Sequence, residues 1–323
     1  MKPSVSVIIP CKDRPQHLMR ALASVREQTV LPGEVIVVDD GSEPPLMLDS
    51  GGAVPVKLIR QRNSGPSAAR NRGIQEASGD WIALLDSDDT WLPDKLETQL
   101  RLIARYEGAG FCVCDMVVHG RPAVVEFPFV PPDGAPDGLI EDALERLLPG
   151  HYIHTSGVMF RKDVFTAVGR FDESLWYCED RDLWLRLAAA TEVVATTRRL
   201  SEYYREGESL SVHENTTVES IVAIYILDKM IESDLFERRI KEQAAAMKGE
   251  VLNSLSYWYR KEGRPLKCCR ASLASLRAGG AVAPNLKNLF YCWPELLLRG
   301  LPRRLARRPQ PVKNDAWVRA ISK

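Results

Sequence analysis

Apolar residues in the first 120 positions fall in short, nearly unbroken runs: Val5-Ser6-Val7-Ile8-Ile9, Glu34 to Val38, Val56 to Ile59, Trp81 to Leu85 and Phe111 to Val117. Runs of this length predict strands buried on both faces, as inside a parallel sheet. Between them the apolar period becomes helical. Pro15 to Gln28 carries Leu18, Leu22 and Val25 on one face, Ser67 to Ala77 follows a Gly-Pro turn, and Pro93 to Tyr106 opens on a proline, which a first helical turn tolerates. Strand and helix alternate, which predicts an α/β fold, a mostly parallel sheet with helices on both faces. Residues 127–138, rich in Pro, Gly and Asp, read as a surface loop, Val158 to Phe160 as a strand, 179–190 as a helix and 193–198 as a strand. From about 216 the pattern is helical only, with two amphipathic helices over 216–264. No internal repeat or low-complexity segment is present.

The buried run Trp81-Ile82-Ala83-Leu84-Leu85 ends in Asp86-Ser87-Asp88-Asp89. In open α/β sheets ligands bind at the carboxyl ends of the strands, so this strand delivers Asp86 and Asp88 to a ligand. Hard oxygen ligands one residue apart suit Mg²⁺ or Mn²⁺ carrying a substrate diphosphate; the alternative is a solvated acidic turn that opens the next helix. Two other strands end in polar clusters, Pro10-Cys11-Lys12-Asp13-Arg14 and Asp39-Asp40-Gly41-Ser42. Parallel strands place all three clusters at one sheet edge, where carboxylates accept hydrogen bonds from a nucleobase or ribose. Asp39 and Asp40 equally suit a turn cap. Asn63-Ser64-Gly65-Pro66-Ser67-Ala68-Ala69-Arg70-Asn71 supplies a turn, a helix start and a cation, a combination that favours phosphate; Arg70 as a plain surface residue is the alternative.

Together these segments resemble glycosyltransferase family 2, inverting enzymes with the GT-A (Rossmann-like) fold. The resemblance rests on Ser4 to Arg14, Glu34 to Ser42, Asn63 to Gly73, Gly79 to Lys95 and Thr155 to Leu187, about two thirds of the chain. It implies a base and ribose pocket lined by Pro10, Lys12, Asp13 and Asp40, with Asp39 adjoining. It places Arg70 near the nucleotide, Asp86 and Ser87 towards the ribose and diphosphate, and the metal on Asp88 with Asp86. In Tyr177-Cys178-Glu179-Asp180-Arg181-Asp182 it implies that Asp180 is the base that takes the acceptor's proton, with Glu179 as the next candidate; the alternative is acidic residues favoured at a helix N-terminus. Asp182 and Arg186 are spaced as a helix-face pair. His151, His154, Thr155 and Ser156 precede the Val158 strand, a region that borders the acceptor in relatives, although a lone histidine is more often structural. Two departures stand out. Lys12 occupies a position where many relatives stack an aromatic ring on the base. Tyr204-Arg205-Glu206-Gly207-Glu208-Ser209-Leu210-Ser211 lacks the metal-binding histidine of many relatives, for which His213 is the candidate substitute.

The 323 residues suit one large domain and an appendage. Formal net charge is zero, yet 1–214 holds 23 basic and 33 acidic residues and 215–323 holds 20 and 10. This predicts a catalytic domain over 1–214 (a nucleotide-binding half 1–117 and an acceptor half 118–214) and a helical, basic C-terminal region over 215–323. Seven cysteines include no Cys-x-x-Cys pair; with no signal peptide before the Val5 strand, a reducing cytosol is expected. No run reaches the length of a membrane span. Leu286 to Leu298, with Phe290, Tyr291 and Trp293, followed by Arg299, Arg303, Arg304, Arg307 and Arg308, suits a helix lying on an anionic membrane, so a cytoplasmic location with peripheral contact at the inner-membrane surface is expected; a packed helical subdomain is the alternative. No nucleic-acid reader motif accompanies the arginines. The expected function is metal-dependent transfer of a sugar from a nucleotide-sugar donor to a glycan or lipid-linked glycan acceptor. The absence of spanning helices argues against a processive synthase. The alternatives are a non-catalytic nucleotide-sugar-binding or scaffold protein and a sugar-phosphate nucleotidyltransferase; the latter would show a Gly-rich loop after the first strand.

Overall fold

The computed structural model describes residues 4–48, 51–120, 129, 136–149, 153–175, 177–204 and 216–299, excluding the side chains of 216 and 291–299. The chain divides into two compact units, Met1–Ser209 and Leu210–Lys323.

In the first unit the elements run β1 (Val5–Cys11), α1 (Pro15–Arg26), β2 (Glu34–Asp40), β3 (Val56–Gln61), α2 (Pro66–Glu76), β4 (Trp81–Leu84), β5 (Thr90–Trp91), α3 (Lys95–Ile103), β6 (Ala109–His119), β7 (Gly138–Leu139), α4 (Ala143–Leu147), β8 (Val158–Arg161), α5 (Lys162–Val168), α6 (Glu179–Ala190) and β9 (Glu192–Tyr204). One sheet takes them in the order β3-β2-β1-β4-β8-β6-β9-β5, with β7 on β9. The half β3-β2-β1-β4 is parallel, as its apolar runs predict. The other half is mixed, so the sheet is mostly parallel, as expected, with short antiparallel strands added. The four-residue β8 slots between β4 and β6 antiparallel to both, β6 and β9 run parallel with irregular register at Asp115, and β5 and β7 are antiparallel to β9. A strand of four residues carries too little pattern to reveal its direction.

Alternation in β1 explains the two layers. Val5, Val7, Ile9 and Cys11 face a core shared with Leu18, Leu22 and Val25 of α1 and Leu96, Leu102 and Ile103 of α3. On the opposite face, α2 lies so close that a Cβ on Gly73 would come within 2.5 Å of Ile8 Cγ2 and 3.2 Å of Val38 Cγ2. Trp184 of α6 stacks there on Phe111 with centroids 5.2 Å apart. The edge strand β3 leaves Lys57 and Arg60 exposed, charges that discourage pairing with another chain.

The second unit contains α7 (Thr216–Glu232), α8 (Arg238–Lys261), α9 (Pro265–Arg277) and α10 (Val282–Arg299). Val222, Ile226, Met230, Ile240 and Leu252 are buried. Among the described residues, no helix is long and apolar enough to cross a membrane.

Candidate active site

The parallel strands end at one edge, and their carboxylates divide into two groups. Asp39 and Asp40 hold loops. Asp39 is 1% exposed; it accepts the Ser42 N–H at 2.8 Å and the Leu46 N–H at 3.2 Å. Asp40 accepts the Gln61 amide, the Ser64 N–H and the Gly65 N–H, each at 2.8 Å. Buried loop N–H groups need such partners, so both aspartates act as the turn caps the sequence allows. Gly41 follows them at φ +79°, where a Cβ would meet Asn63 N at 2.8 Å. At the end of β1, Pro10 is half-buried and Lys12 exposed, its Nζ 3.8 Å from Asp13. Asp13, at φ 55°, donates its N–H to Ser42 Oγ at 2.9 Å and accepts the Glu43 N–H at 2.8 Å, tying the first loop to the second.

The second group surrounds Arg70. This guanidinium is almost wholly buried; it donates to Asp86 Oδ1 at 2.8 Å and Glu179 Oε1 at 2.7 Å, and lies over the Phe171 ring at 5.5 Å. Burial alone would lower its pKa, but Asp86 and then Glu179 raise it. Arg70 thereby joins the end of β4 to the start of α6. Asp88 pairs with Arg14. Burial, then the charges of Asp86 and Asp89, push its carboxyl pKa up, against Arg14. Ser87 meets the buried Cys11 thiol, whose pKa burial raises.

Asp180 lies in the first turn of α6, entered through Cys178 at φ 56°. The residue is half-buried, and its carboxylate receives the Arg181 N–H at 2.7 Å and the Thr155 hydroxyl at 3.4 Å. Desolvation first, then Glu179, push its pKa up to about 7. Glu179, held by Arg70, is thus a neighbour that tunes Asp180.

His154, Thr155 and Ser156 do not form an open acceptor surface. All three are buried, in a 3₁₀ turn (Thr155–Gly157) and the residue before it. His154 Nε2 lies 3.0 Å from Asp89 Oδ2, which also accepts the Ser156 hydroxyl at 2.5 Å. His151, His213 and the stretch 205–211 lie outside the described residues, as do Arg303, Arg304, Arg307 and Arg308. Among the described residues, no three His, Cys, Asp or Glu side chains form a ready metal cluster. A 270 Å³ cavity beside α2, lined by Gln61, Arg62, Ser64, Asn71, Arg72 and Arg170 among others, takes in none of the Asp86, Asp88 and Asp180 carboxylates.

Residues 6–169, half of the chain, match the family described as Glycosyl transferase family 2. The chain belongs to that family. It is 31% identical over 189 residues to an uncharacterized glycosyltransferase of Haemophilus influenzae, a match that covers 57% of this chain and 61% of that protein. It is 30% identical over 245 residues to the amylovoran biosynthesis glycosyltransferase AmsB of Erwinia amylovora, covering 70% of this chain and 77% of that one. The structure of S. aureus TarS 1-349 in complex with UDP-GlcNAc superposes with a TM-score of 0.68 at 18% identity, over 96% of this chain and 95% of that one; that likeness establishes the fold. Within this family 2 fold, the sequence singled out neither Arg14 nor Asp89 as site residues. Both stand in quoted clusters, Pro10 to Arg14 and Asp86 to Asp89, but only the folded chain pairs them with Asp88 and His154.

Proposed function

We propose that this family 2 protein is a metal-dependent, inverting glycosyltransferase that moves a sugar from a nucleotide-sugar donor to an acceptor hydroxyl, in cell-surface polysaccharide or glycolipid biosynthesis. The observation that carries the reading is Asp180: a carboxyl pushed up to about 7 by desolvation and then by Glu179, and electrostatically linked to Asp86 at the same sheet edge. A general base works best with a pKa near the working pH. The UDP-GlcNAc held by TarS supports a nucleotide-sugar donor, and the amylovoran role of AmsB supports a polysaccharide product.

In this mechanism the acceptor oxygen bonds to the anomeric carbon while the bond from that carbon to the diphosphate oxygen breaks on the opposite face. The acceptor's proton passes to Asp180, and the bonding pair leaves with the nucleoside diphosphate. Arg70 holds the Glu179 and Asp86 carboxylates in place through one hydrogen bond to each. Two carboxylates, Asp86 and Asp88, fit Mg²⁺ or Mn²⁺, since such ions are commonly held by one or two carboxylates with substrate phosphates completing the shell. Burial first, and then the charges of Asp86 and Asp89, raise the pKa of Asp88, and a bound cation would offset that negative charge. Once bound, the ion would neutralise charge developing on the departing diphosphate. Pro10, Lys12 and Asp13 are the groups we assign to the base and ribose; Asp39 and Asp40 would shape that pocket through the loops they hold.

For the second unit we infer contact with the inner face of an anionic membrane. Val282, Leu286 and Phe290 recur every four residues on α10 and are 61%, 53% and 81% exposed, beside a region rich in basic residues. Apolar side chains flanked by cations suit an interfacial helix.

The deciding experiment is nucleoside diphosphate release from a panel of nucleotide sugars, with Mg²⁺ or Mn²⁺ and then with excess chelator. Metal-dependent release that Asp88→Ala abolishes is the expected result. Donor binding without release under any condition would favour a non-catalytic nucleotide-sugar-binding protein, and full release in chelator would remove the metal assignment.

A further inference from the structure

We propose that His154 and Asp89 form a buried positioning pair that acts through the Ser156 hydroxyl to fix the Asp86 backbone, and so aims Asp86 and Asp88 at the donor diphosphate. The positioning claim stands on geometry; its consequence for the diphosphate rests on the function proposed above.

Hydrogen-bond direction leaves little choice in this network. The Asp86 N–H donates to Ser156 Oγ at 3.0 Å. The Ser156 hydroxyl proton must therefore point elsewhere, and Asp89 Oδ2 lies 2.5 Å away to accept it. The same oxygen faces His154 Nε2 at 3.0 Å. Asp89 Oδ1 is buried without a hydrogen-bond partner, so Oδ2 concentrates the contacts that balance this carboxylate. Asp89 is 2% exposed and His154 5%. A charge so deeply buried is tolerated only when it is paired and hydrogen-bonded. Its pairing partner is His154, whose Nδ1 lies 3.5 Å from Ser201 Oγ. Burial would lower the imidazole pKa, but the net direction is up, through Asp89 above all and then Asp86 and Asp180. Nε2 can therefore serve as the donor to Asp89, with Nδ1 facing Ser201 Oγ.

The turn that carries Ser156 is itself clamped. Its carbonyl receives the Trp91 indole N–H at 2.7 Å. The Gly157 carbonyl receives the Gln99 amide at 2.9 Å and the Cys114 thiol at 3.3 Å. Gln99 is held in turn by the buried Lys95 at 2.7 Å, whose ammonium lies 4.1 Å above the Trp91 ring. One residue before Ser156, the Thr155 hydroxyl reaches Asp180. The turn thus touches both carboxylate centres, Asp86 on one side and Asp180 on the other, from a platform anchored on α3, β5 and β6. Rigid support of this kind is what keeps reacting groups within the tolerance that catalysis needs.

The test compares Ser156→Ala and His154→Gln with wild type in the full chain. Amide hydrogen exchange is read over 84–92, and the affinity for UDP with Mn²⁺ is read by calorimetry. Expected are exchange over 84–92 about tenfold faster in both variants, β1 and β2 unchanged, and a Kd for UDP raised about tenfold while thermal unfolding stays cooperative. A purely structural loss would speed exchange throughout the unit instead. Exchange and affinity within twofold of wild type in Ser156→Ala, which deletes one oxygen and no charge, would overturn the proposal even if His154→Gln failed to fold. If the wild type binds neither UDP nor any other nucleoside diphosphate with Mn²⁺, the function proposed above is what fails, and the exchange measurement still decides the positioning claim.

Discussion

Asp180 shows how burial makes chemistry at the scale of one residue. Its carboxyl, pushed up to about 7 by desolvation and then by Glu179, is a usable proton acceptor at neutral pH. Asp180→Asn keeps the size and removes the basicity; nucleotide binding should survive while kcat falls roughly 10²–10⁴-fold, the usual worth of a general base. Because the base must be ionised, kcat/KM should fall as pH drops below about 7. Glu179→Gln removes a charge that raises Asp180 and releases Arg70 to act on it, so that limb should move to lower pH in a pH–rate profile. The same shift has a cost in stability. A carboxyl whose folded pKa lies above its ordinary value contributes stability that is fully present below the unfolded pKa, near 4, and lost as pH rises through about 7. Asp180→Asn should therefore melt higher than wild type at pH 8, with the gap closing towards pH 4 in thermal scans. Arg70 is the structural counterpart. Replacing it with Met would strand Asp86 and Glu179 together, and breaking such a buried charge network costs about 3–5 kcal/mol, readable as a lowered urea midpoint.

Elements explain why the sequence revealed some of this and hid the rest. Apolar runs located β1, β2, β4 and β6 and so placed Asp86 and Asp88 at one edge, because a strand's end is set locally; Glu179-Asp180 were brought to that site only by the family resemblance. The partners of those residues were not legible. Asp40 reads as a ligand group until the loop over 61–65 folds back and delivers three donors to it. His154, Thr155 and Ser156 read as acceptor-facing until β8 enters the sheet antiparallel and buries the turn before it. Both arrangements depend on contacts between residues far apart in the chain. The packing of α2 offers a direct check at this scale. Gly73→Ala gains about 1 kcal/mol of helix propensity, but the new methyl meets Ile8 Cγ2, fixed on a buried β-branched side chain. Overpacking of this kind costs about 1–3 kcal/mol. The expected outcome is net destabilisation, with a lower urea midpoint and an unchanged slope, and weaker nucleotide binding because α2 carries Arg70.

At the scale of the whole molecule, the chain joins an acidic unit that holds the carboxylates to a basic helical unit with an exposed apolar stripe. If that stripe meets a membrane, Leu286→Ser with Phe290→Ser should reduce sedimentation with anionic vesicles. Rising salt should weaken binding further, since surface charges are screened within roughly 8 Å at physiological ionic strength. Transfer to a small soluble acceptor should be unaffected, because every residue assigned to the reaction lies in the first unit. The central claim is that Asp180 deprotonates an acceptor that attacks the anomeric carbon from the face opposite the diphosphate. Proton NMR of the anomeric signal, followed in real time with Mg²⁺ and an α-configured nucleotide sugar, tests it most directly. The account predicts that the first product to accumulate is the β-anomer and that Asp180→Asn forms it at least a hundredfold more slowly. An α-configured first product, or undiminished turnover by that variant, would contradict it.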